Sequence, residues 1–549
     1  MSENAARRSE LFERAVGTIL RVLPQTLPRA EAAGRPVIYG ADGSPLIPHQ
    51  TNQYSRRSAS LKGSLRTWKP RLLSSDLQLS NERETIVDRA CDLVESDAHG
   101  AGMVDTIATL VVGTGLNPYP MIDMEATGLE KEAARKLSAR ARSIWRKWGP
   151  WADAGMRNSI DGIGFQVLRN IVQYGEYLCL CHMIKNDPGR PYSLALRLIN
   201  PTRMFTPTDL NHRTDIKDGV EVGEYGQPVA YWIQRAGVSI SSGLTSANFV
   251  RIPARAGHRF KVLHGFLGTE PEQVRGISLL SPMMKLFRDS ADYIDAELVS
   301  NVVTAAMALF IETGAEDPYS VAQRLSSITD EGTKSDGSTY DQRYQEIIPG
   351  AVMYGSSGQK PHLLSAQRPS VTFDPFVRQI RKSIAIGAGF PYPVLFRDFD
   401  QMSYAGYRSA MLEAWRVVKT RRNWMGGNFY GPVYRMLLEE AYLRGEFEAK
   451  DFYTLMHEYT AAQWIGPAKG QIEPESEAKG DILQIQHNLK SREEVAIEQN
   501  RDLRTTFDQL EDEQAEMERR GLDEMKVGEI VEPGLAPDDP DGGGGNADN

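Results

Sequence analysis

The chain has few cysteines and no long apolar run among its 549 residues. Three cysteines, Cys91, Cys179 and Cys181, are too few for a disulfide framework and are typical of a protein made in a reducing compartment. The longest apolar stretch, 299–311, contains polar residues and is shorter than the roughly 20 residues that a membrane-spanning helix needs. It predicts a buried helix. The sequence therefore predicts neither a secreted disulfide scaffold nor a membrane protein.

The chain also lacks an excess of positive charge. Its 63 Lys and Arg residues against 72 Asp and Glu residues give a formal net charge of −9. The average surface is thus unlike that of a protein that holds nucleic acid by neutralising phosphates, and a DNA partner is expected to be held loosely or by local basic patches. One basic segment, 51–75, has no acidic residue. It is either an arm that contacts DNA or an acidic neighbouring subunit, or a solvated segment.

Catalytic and metal-binding motifs are missing as well. Segment 466–470 lacks the glycine spacing and the Ser or Thr of a phosphate-binding loop, and 113–115 has only two of the three glycines of a dinucleotide fingerprint. Cys179 and Cys181 have no second ligand pair at zinc spacing, so they are interpreted as small buried apolar residues. The sequence predicts no enzyme, no cofactor and no metal. A hydrolase on an unfamiliar fold and a different non-catalytic capsid or scaffold protein remain as alternatives.

Hydrophobic residues make up 41% of the chain, which is enough for sizeable cores. They recur periodically in a clear succession of segments. An amphipathic helix is predicted in the first 23 residues. Helical spacing recurs at 80–112, 128–148 and 161–173, and Trp145, Trp148 and Trp151 are interpreted as core or subunit-interface residues. Strand-like segments follow, separated by turns: 177–184, 193–199, 219–224 and 229–234. The fold class is α+β and rich in helix.

Two helices flank an irregular insertion in the middle of the chain. In the first, 281–310, apolar residues recur every three or four positions from Phe287 to Leu309. Three acidic residues, Asp289, Asp292 and Asp295, lie off that stripe and form either an ordinary solvated face or a functional one. The second helix, 371–388, carries Arg381 and Lys382. The glycine-rich segment 311–370 lies between them.

A proline-punctuated loop, 389–403, precedes a long helix at 404–445 that Gly426 and Gly427 interrupt. Its polar residues Asp398, Asp400, Gln401 and Ser403 are suited to cap that helix, so the loop tip is expected to be held but not buried. Further on, Ser491 and Glu494 form a predicted capping box, and the Pro- and Gly-rich acidic end is predicted to be disordered.

Several fragments occur in an order and spacing that resemble the lambda family of tailed-phage portal proteins, the head-to-tail connectors. They are Leu198-Ile199-Asn200-Pro201-Thr202-Arg203, Gly226-Gln227-Pro228-Val229-Ala230-Tyr231-Trp232, Gln273-Val274-Arg275-Gly276-Ile277-Ser278, Gly389-Phe390-Pro391-Tyr392-Pro393-Val394-Leu395 and Trp464-Ile465-Gly466-Pro467. The resemblance extends over roughly residues 55 to 525. Each fragment alone is a weak signal, but their combination is specific.

The resemblance implies a portal fold with these regions: N-terminal helix and basic arm (1–75), wing (76–280), first stem helix (281–310), clip (311–370), second stem helix (371–388), tunnel loop (389–403), spine helix (404–445), C-terminal helical wing or crown region (446–525) and disordered acidic tail (526–549). It further implies channel or tunnel-loop residues Arg381, Lys382, Arg397, Asp398, Asp400, Gln401 and Ser403, and a stem acidic face of Asp289, Asp292 and Asp295 that would line part of a channel.

The family's function would then be that of a ring of about a dozen subunits at one capsid vertex of the virion, assembled in the host cytoplasm. Such a ring nucleates head assembly and is the conduit for DNA packaging and ejection. The implied partners are other copies of the chain, the terminase large subunit, major capsid and scaffold proteins, head-completion and tail proteins, and duplex DNA that passes without sequence recognition. The ring itself hydrolyses no nucleotide.

Overall fold

The computed structural model describes residues 75–237, 244–312, 330–333, 339–342, 351–355, 373–400, 402–470, 473–499 and 501–520. The predicted N-terminal helix and basic arm, most of the predicted clip, Gln401 and the acidic tail lie outside these residues. No helix in the described part is long and apolar enough to cross a membrane.

Helices account for most of the described chain. In chain order they are α1 Ser75–Ser96, α2 Ala98–Val111, α3 Met124–Thr127, α4 Lys131–Trp148, α5 Ile160–Tyr174, α6 Met284–Ala306, α7 Phe373–Ala388, α8 Tyr392–Phe396, α9 Tyr404–Met425, α10 Gly431–Leu443, α11 Met456–Tyr459, α12 Pro474–Gln486, α13 Arg492–Glu498 and α14 Leu503–Arg520. Asp97 ends α1 and caps α2, because its carboxylate accepts a hydrogen bond from the Gly100 amide.

The strands form small sheets. They are β1 Asn117–Pro120, β2 Glu176–Met183, β3 Leu194–Ile199, β4 Ile216–Lys217, β5 Val220–Val222, β6 Pro228–Gln234, β7 Phe249–Pro253, β8 Arg255–Ala256, β9 Arg259–Phe260, β10 Val262–Phe266, β11 Met307–Glu312, β12 Asp330–Thr333, β13 Thr339–Gln342, β14 Ala351–Gly355 and β15 Ala462–Ile465. The larger sheets have the orders β10-β2-β3 and β4-β5-β6-β7, and the pairs are β1-β15, β8-β9, β11-β14 and β12-β13. The predicted α+β class, rich in helix, is confirmed.

Strand β2 separates two apolar cores because successive side chains of a strand point to opposite faces. Cys179 and Cys181 belong to the main, helix-lined core, whereas Leu178 and Leu180 belong to a smaller core against β6. Burial raises the pKa of the Cys181 thiol to about 12. Both thiols therefore pack as apolar groups, as the strand pattern predicted.

The tryptophan cluster lies at the centre of the main core. Trp145 and Trp148 are buried, with ring centroids 5.3 Å apart, and Trp145 also meets Trp464 of β15 at 5.4 Å. Trp151, in contrast, is 42% exposed. The expected core role is confirmed for the first two residues.

The helix predicted over 281–310 is shorter than expected. A single 3-10 turn precedes α6, which ends at Ala306, and the following residues enter β11, which pairs in parallel with β14. The apolar stripe is buried only at its start, since Phe287 is 2% exposed but Leu298 is 57% exposed. Predicting a buried helix across 299–311 was therefore wrong, because strand pairing overrides the helical spacing after Ala306.

The predicted long helix from 404 consists of α9, one π-helical segment at Gly426–Tyr430, and α10. Glycine is required at 426, since a Cβ there would lie 2.4 Å from Cδ1 of Trp464. Near the end of α9, Arg422 donates to the carbonyls of Leu110, Val111 and Pro467. It thereby satisfies terminal carbonyls of α2 and fixes α9 against the body of the protein.

Candidate functional site

The residues predicted to face a channel lie on one continuous stretch from α7 to the start of α9. Its middle is not an exposed loop, because residues 392–396 form the short helix α8, which packs against α2, α7 and α9. Phe390, Val394 and Leu395 are at most 6% exposed. The first half of 389–403 is thus partly buried, because its apolar side chains enter the main core. The tip, which was expected to be held but not buried, exposes Phe399 and Asp400.

Asp398 closes the turn after α8. Its carboxylate accepts a hydrogen bond from the Tyr392 hydroxyl and lies 3.6 Å from Nε of Arg378 on α7. The Tyr392 hydrogen bond and the Arg378 charge hold the pKa of Asp398 below its usual value, while burial and Asp398 raise the pKa of Tyr392 to about 12. Asp398 thus stays charged and holds the turn on α7.

Of the two arginines predicted to touch DNA, Arg381 is partly buried and Arg397 is exposed, and each contacts α2. Arg397 ends α8 in the left-handed conformation, with φ of 55°, and its Nη2 lies 3.4 Å from Oγ1 of Thr106 on α2. Arg381 donates to Nε2 of His99 at 3.0 Å. Burial and the Arg381 charge lower the pKa of His99, so the imidazole is a neutral acceptor. Both arginines hold the segment against α2.

The exposed part of the stretch is small. The surface between α7 and the start of α9 exposes Lys382, Arg397, Phe399 and Asp400. Ser403 caps α9, because its Oγ accepts a hydrogen bond from the Gly406 amide at 3.2 Å. The predicted cap is confirmed for Ser403. Gln401 lies outside the described residues.

A cavity of about 450 Å³ opens beside these residues. Its walls come from α7, the proline turn and the turn before α9, and they include Lys382, Ile386, Pro391, Tyr392 and Asp400. Ile386 is 79% exposed. Two cationic side chains, Arg378 and Lys382, and two carboxylates, Asp398 and Asp400, therefore line this concave surface together with an unusually exposed apolar residue.

The predicted acidic face on α6 is exposed but partly neutralised. Asp289 lies 2.6 Å from Nζ of Lys285, and Asp292 lies 3.2 Å from Nε of Arg288, both one helical turn away. Asp295 is exposed further along the same helix. The face thus carries alternating charges at its start, and its negative potential is weaker than three aspartates alone would give.

Tyr293 joins the two helices that flank the insertion. Its ring stacks on Phe373 at 5.7 Å and meets Phe376 edge-on at 4.9 Å, both at the start of α7. Phe376 is nevertheless 49% exposed, and Leu298 and Val299 on α6 are 57% and 63% exposed. The α6–α7 pair therefore leaves apolar side chains uncovered along its length.

Sequence reasoning missed a buried ionic cluster around Glu176 at the start of β2. The Glu176 carboxylate lies 2.6 Å from Nη2 of Arg83 and 2.5 Å from Nη2 of Arg275, and it accepts from the Gly276 amide at 3.0 Å. His264 lies 3.0 Å away. Burial alone would raise the pKa of Glu176, but these partners outweigh burial and lower it.

Nothing in the local sequence signals this cluster, because each partner lies between 88 and 100 residues from Glu176 in the chain. Arg275 extends the cluster by donating to the carbonyls of Met204 at 2.9 Å and of Asp218. Helix α1, the β10-β2-β3 sheet and the β4–β5 turn are therefore joined through one carboxylate. We assign this cluster to the framework rather than to the exposed site, because Glu176 is fully buried and lies far from Lys382 and Asp400 in the sequence.

Comparison with known proteins identifies the family. The model of the family described as "Phage portal protein, lambda family" matches residues 62–422. The chain is 23% identical over 505 residues to the portal protein of Escherichia phage N15, covering 89% of this chain and 94% of the relative. It is 22% identical over 509 residues to portal protein B of Escherichia phage lambda, with the same coverage.

A solved structure, from the virion of a native gene transfer agent particle, is also similar. It is 13% identical and covers 78% of this chain and 94% of its own, with a TM-score of 0.36. A chain from the neck of the empty particle gives 14% identity, coverage of 79% and 95%, and the same TM-score. The family model, which spans well over half of the sequence, decides the assignment. The chain belongs to the lambda family of phage portal proteins.

Proposed function

We propose that this chain forms the portal ring at one vertex of a phage capsid, where it nucleates head assembly and is the conduit for DNA packaging and ejection. The match to the family over residues 62–422 carries the proposal. The partners would be the terminase large subunit during packaging, major capsid and scaffold proteins during assembly, and head-completion and tail proteins afterwards. Assembly would take place in the host cytoplasm, and duplex DNA would pass through without sequence recognition.

Self-association is supported by the uncovered apolar residues of α6 and α7. Leu298, Val299, Phe376 and Ile386 are each at least 49% exposed. Large apolar side chains grouped on two packed helices are typical of a surface that another protein covers. A closed ring of about a dozen copies would cover this surface on every subunit without leaving a free end.

We assign α6 and α7 to the stem and the chain between them to the clip. The two helices pack on each other through Tyr293, and parallel strands β11 and β14 bring the two ends of the insertion together. The channel surface would then be formed by Lys382, Asp400 and the neighbouring Gln401. Arg381, Arg397 and Asp398 would position this surface, since each contacts another helix of the body.

The ring is tested by imaging the purified protein and measuring its mass. We expect closed rings with a mass that is an integer multiple of 61.2 kDa. A monodisperse monomer at micromolar concentration and moderate salt would rule the proposal out. Purified rings should also show no nucleotide hydrolysis above background, and steady turnover by several independent preparations would favour the hydrolase alternative.

The channel assignment is tested by complementing a portal-null phage with the K382Q/D400N variant. Both side chains are exposed, so the rings should form normally. We expect less nuclease-protected DNA per particle than with the control K185Q/E224Q, which removes the same charges from exposed positions on the β-sheet region. Equal DNA in both variants, with rings intact, would reject the channel role of Lys382 and Asp400 while leaving the ring itself supported.

A further inference from the structure

Helix α4 is strongly basic. It contains seven Lys and Arg residues and one acidic residue, Glu132, within a chain whose net charge is −9. One side of α4 is buried, with Ala141, Trp145 and Trp148 in the main core. The cations therefore emerge along its remaining surface.

A cavity of about 640 Å³ lies at the C-terminal half of α4. It is enclosed by α4, the β1–β15 ribbon and the start of α14, and three arginines line it: Arg142, Arg146 and Arg501. Burial, together with the positive charges of Arg504 and Arg146, lowers the pKa of Arg142. Arg142 and Arg146 are thus close enough to repel each other.

The negative charge in the cavity is insufficient to balance them. Among the described residues that line it, Asp502 is the only carboxylate, and it is already paired with Arg142. Glu493, nearby, accepts a hydrogen bond from Tyr119. Within the described part of the chain, the guanidinium groups of Arg146 and Arg501 have no ion-pair or hydrogen-bond partner. Guanidinium groups gathered in a concave site are suited to bind carboxylates or phosphates in bidentate fashion.

We propose that this cavity binds the clustered carboxylates of an acidic peptide, and that the peptide is segment 521–549 of this chain, in the same or a neighbouring copy. The segment contains eight Asp and Glu residues against one Lys, a net charge of −7, which is most of the chain's total of −9. It follows directly after α14, whose first residues form one wall of the cavity.

Length and charge both favour this ligand. The 18 residues of α14 extend about 27 Å from the cavity, whereas 29 further residues can span up to about 100 Å. The segment is therefore long enough to return to the cavity, and its attachment gives it a high effective concentration there. Nucleic acid has no such attachment and would approach a chain of net negative charge.

The site is tested by fluorescence anisotropy with a labelled synthetic peptide of residues 521–549. The host is the full chain with its own segment neutralised by D523N, E524Q, E529Q, E532Q, D538N, D539N and D541N. We expect saturable, salt-sensitive binding that R146Q/R501Q weakens at least tenfold. The matched control K131Q/K136Q removes two charges from the same helix outside the cavity and should change the affinity less than threefold.

All four arginine and lysine positions are exposed, so the variants should keep the melting temperature of the parent. Absent peptide binding, or equal binding by R146Q/R501Q and the parent, would overturn the proposal. It would also be overturned if a short DNA duplex bound the cavity more tightly than the peptide and lost that binding in R146Q/R501Q. Inorganic phosphate should compete only weakly, because it offers a single anionic group; displacement of the peptide by equimolar phosphate would count against a carboxylate-specific site.

Zero-length carbodiimide coupling locates the natural occupant in the otherwise unaltered full chain. The R146K variant keeps the charge and supplies an amine, which should couple to a carboxylate of 521–549. Rings assembled from a mixture of ¹⁴N- and ¹⁵N-labelled chains distinguish the source, since mixed-isotope cross-links indicate a neighbouring copy and single-isotope cross-links indicate the same chain. A complete lack of coupling between this amine and 521–549 would contradict the proposal.

Discussion

Helix α10 and the C-terminal helices α12, α13 and α14 are held to the molecule in opposite ways. Eight of the 13 residues of α10 are buried, whereas none of the residues in the three C-terminal helices is buried. The C-terminal helices also expose large apolar residues, including Leu483 and Phe507. Apolar burial therefore stabilises the body but contributes little to the attachment of the C-terminal helices.

Polar contacts are what attach the C-terminal region. Glu493 accepts from Tyr119, Asp502 pairs with Arg142, and Glu498 lies 3.9 Å from Nζ of Lys419. Partly exposed pairs of this kind contribute only about 0–1 kcal/mol each. We infer that α12–α14 can detach or shift without unfolding the body, which is the behaviour expected of a surface that other subunits or partners contact.

The largest effect should come from breaking the ionic cluster inside the body. Glu176→Gln leaves Arg83, Arg275 and His264 buried without their shared carboxylate, a change that costs about 3–5 kcal/mol in comparable buried pairs. Urea unfolding followed by tryptophan fluorescence measures this loss. The control E132Q removes a carboxylate whose side chain is 67% exposed, and a similar small change in both variants would contradict the framework role.

The next effect concerns α8, which the sequence presented as part of a loop. Leu395→Ala should destabilise the body by about 2–4 kcal/mol, because it opens a cavity beneath α2 and α7. Leu412 on α9 is 46% exposed, and L412A should cost less than about 0.5 kcal/mol. Equal unfolding midpoints for the two variants would mean that α8 does not hold the segment.

The third effect is a dependence on pH inside the body. Burial raises the pKa of Asp218 from 3.8 to about 6, although Arg83 opposes the shift. Because its pKa is raised, Asp218 is protonated more readily in the folded protein than in the unfolded chain. The stability that protonation of Asp218 contributes is complete below about pH 4 and is lost as the pH rises through 6. With the side chain 23% exposed, the loss should be on the order of 1–2 kcal/mol.

Asp218→Asn removes that titration and fits the backbone, because Asn tolerates the φ of 45° at this position. We expect D218N to gain stability relative to the wild type between pH 4 and pH 7, as measured by urea unfolding at each pH. Comparing the two proteins at each pH separates this titration from any effect of the substitution that does not depend on pH. A difference that does not change with pH would refute the raised pKa.

The sequence predicted elements well where periodicity is local. The helix expected at 371–388 is Phe373–Ala388, and the strand expected at 229–234 is Pro228–Gln234. The capping box of Ser491 and Glu494 is present as predicted. These features depend on neighbours within a few residues, so the sequence pattern contains the necessary information.

Predictions failed where residues distant in the sequence determine the local structure. Residues 307–312 join a strand because a partner more than 40 residues later pairs with them. The segment 390–396 is buried because α2, which lies almost 300 residues earlier, covers it. The contacts of Arg381 with His99 and of Arg397 with Thr106 join residues 282 and 291 positions apart, so they cannot be found from spacing either.

The smallest predicted effect tests the polar attachment of α12–α14 directly. Raising the salt from 0.1 M to 1 M shortens the screening length from about 10 Å to about 3 Å and should weaken the exposed ion pairs while leaving apolar burial intact. Limited proteolysis should then cut within 474–520 a few times faster at high salt, with cleavage of α9 and α10 unchanged. Since salt also affects proteases, the rate is compared with that of R142Q/K419Q, which lacks two of the attachments and should be cut quickly at both salt concentrations. If the wild type resists cleavage equally at both concentrations, contacts other than these ion pairs hold the C-terminal helices. The two regions would then differ less in their attachment than the lack of buried residues in α12–α14 indicates.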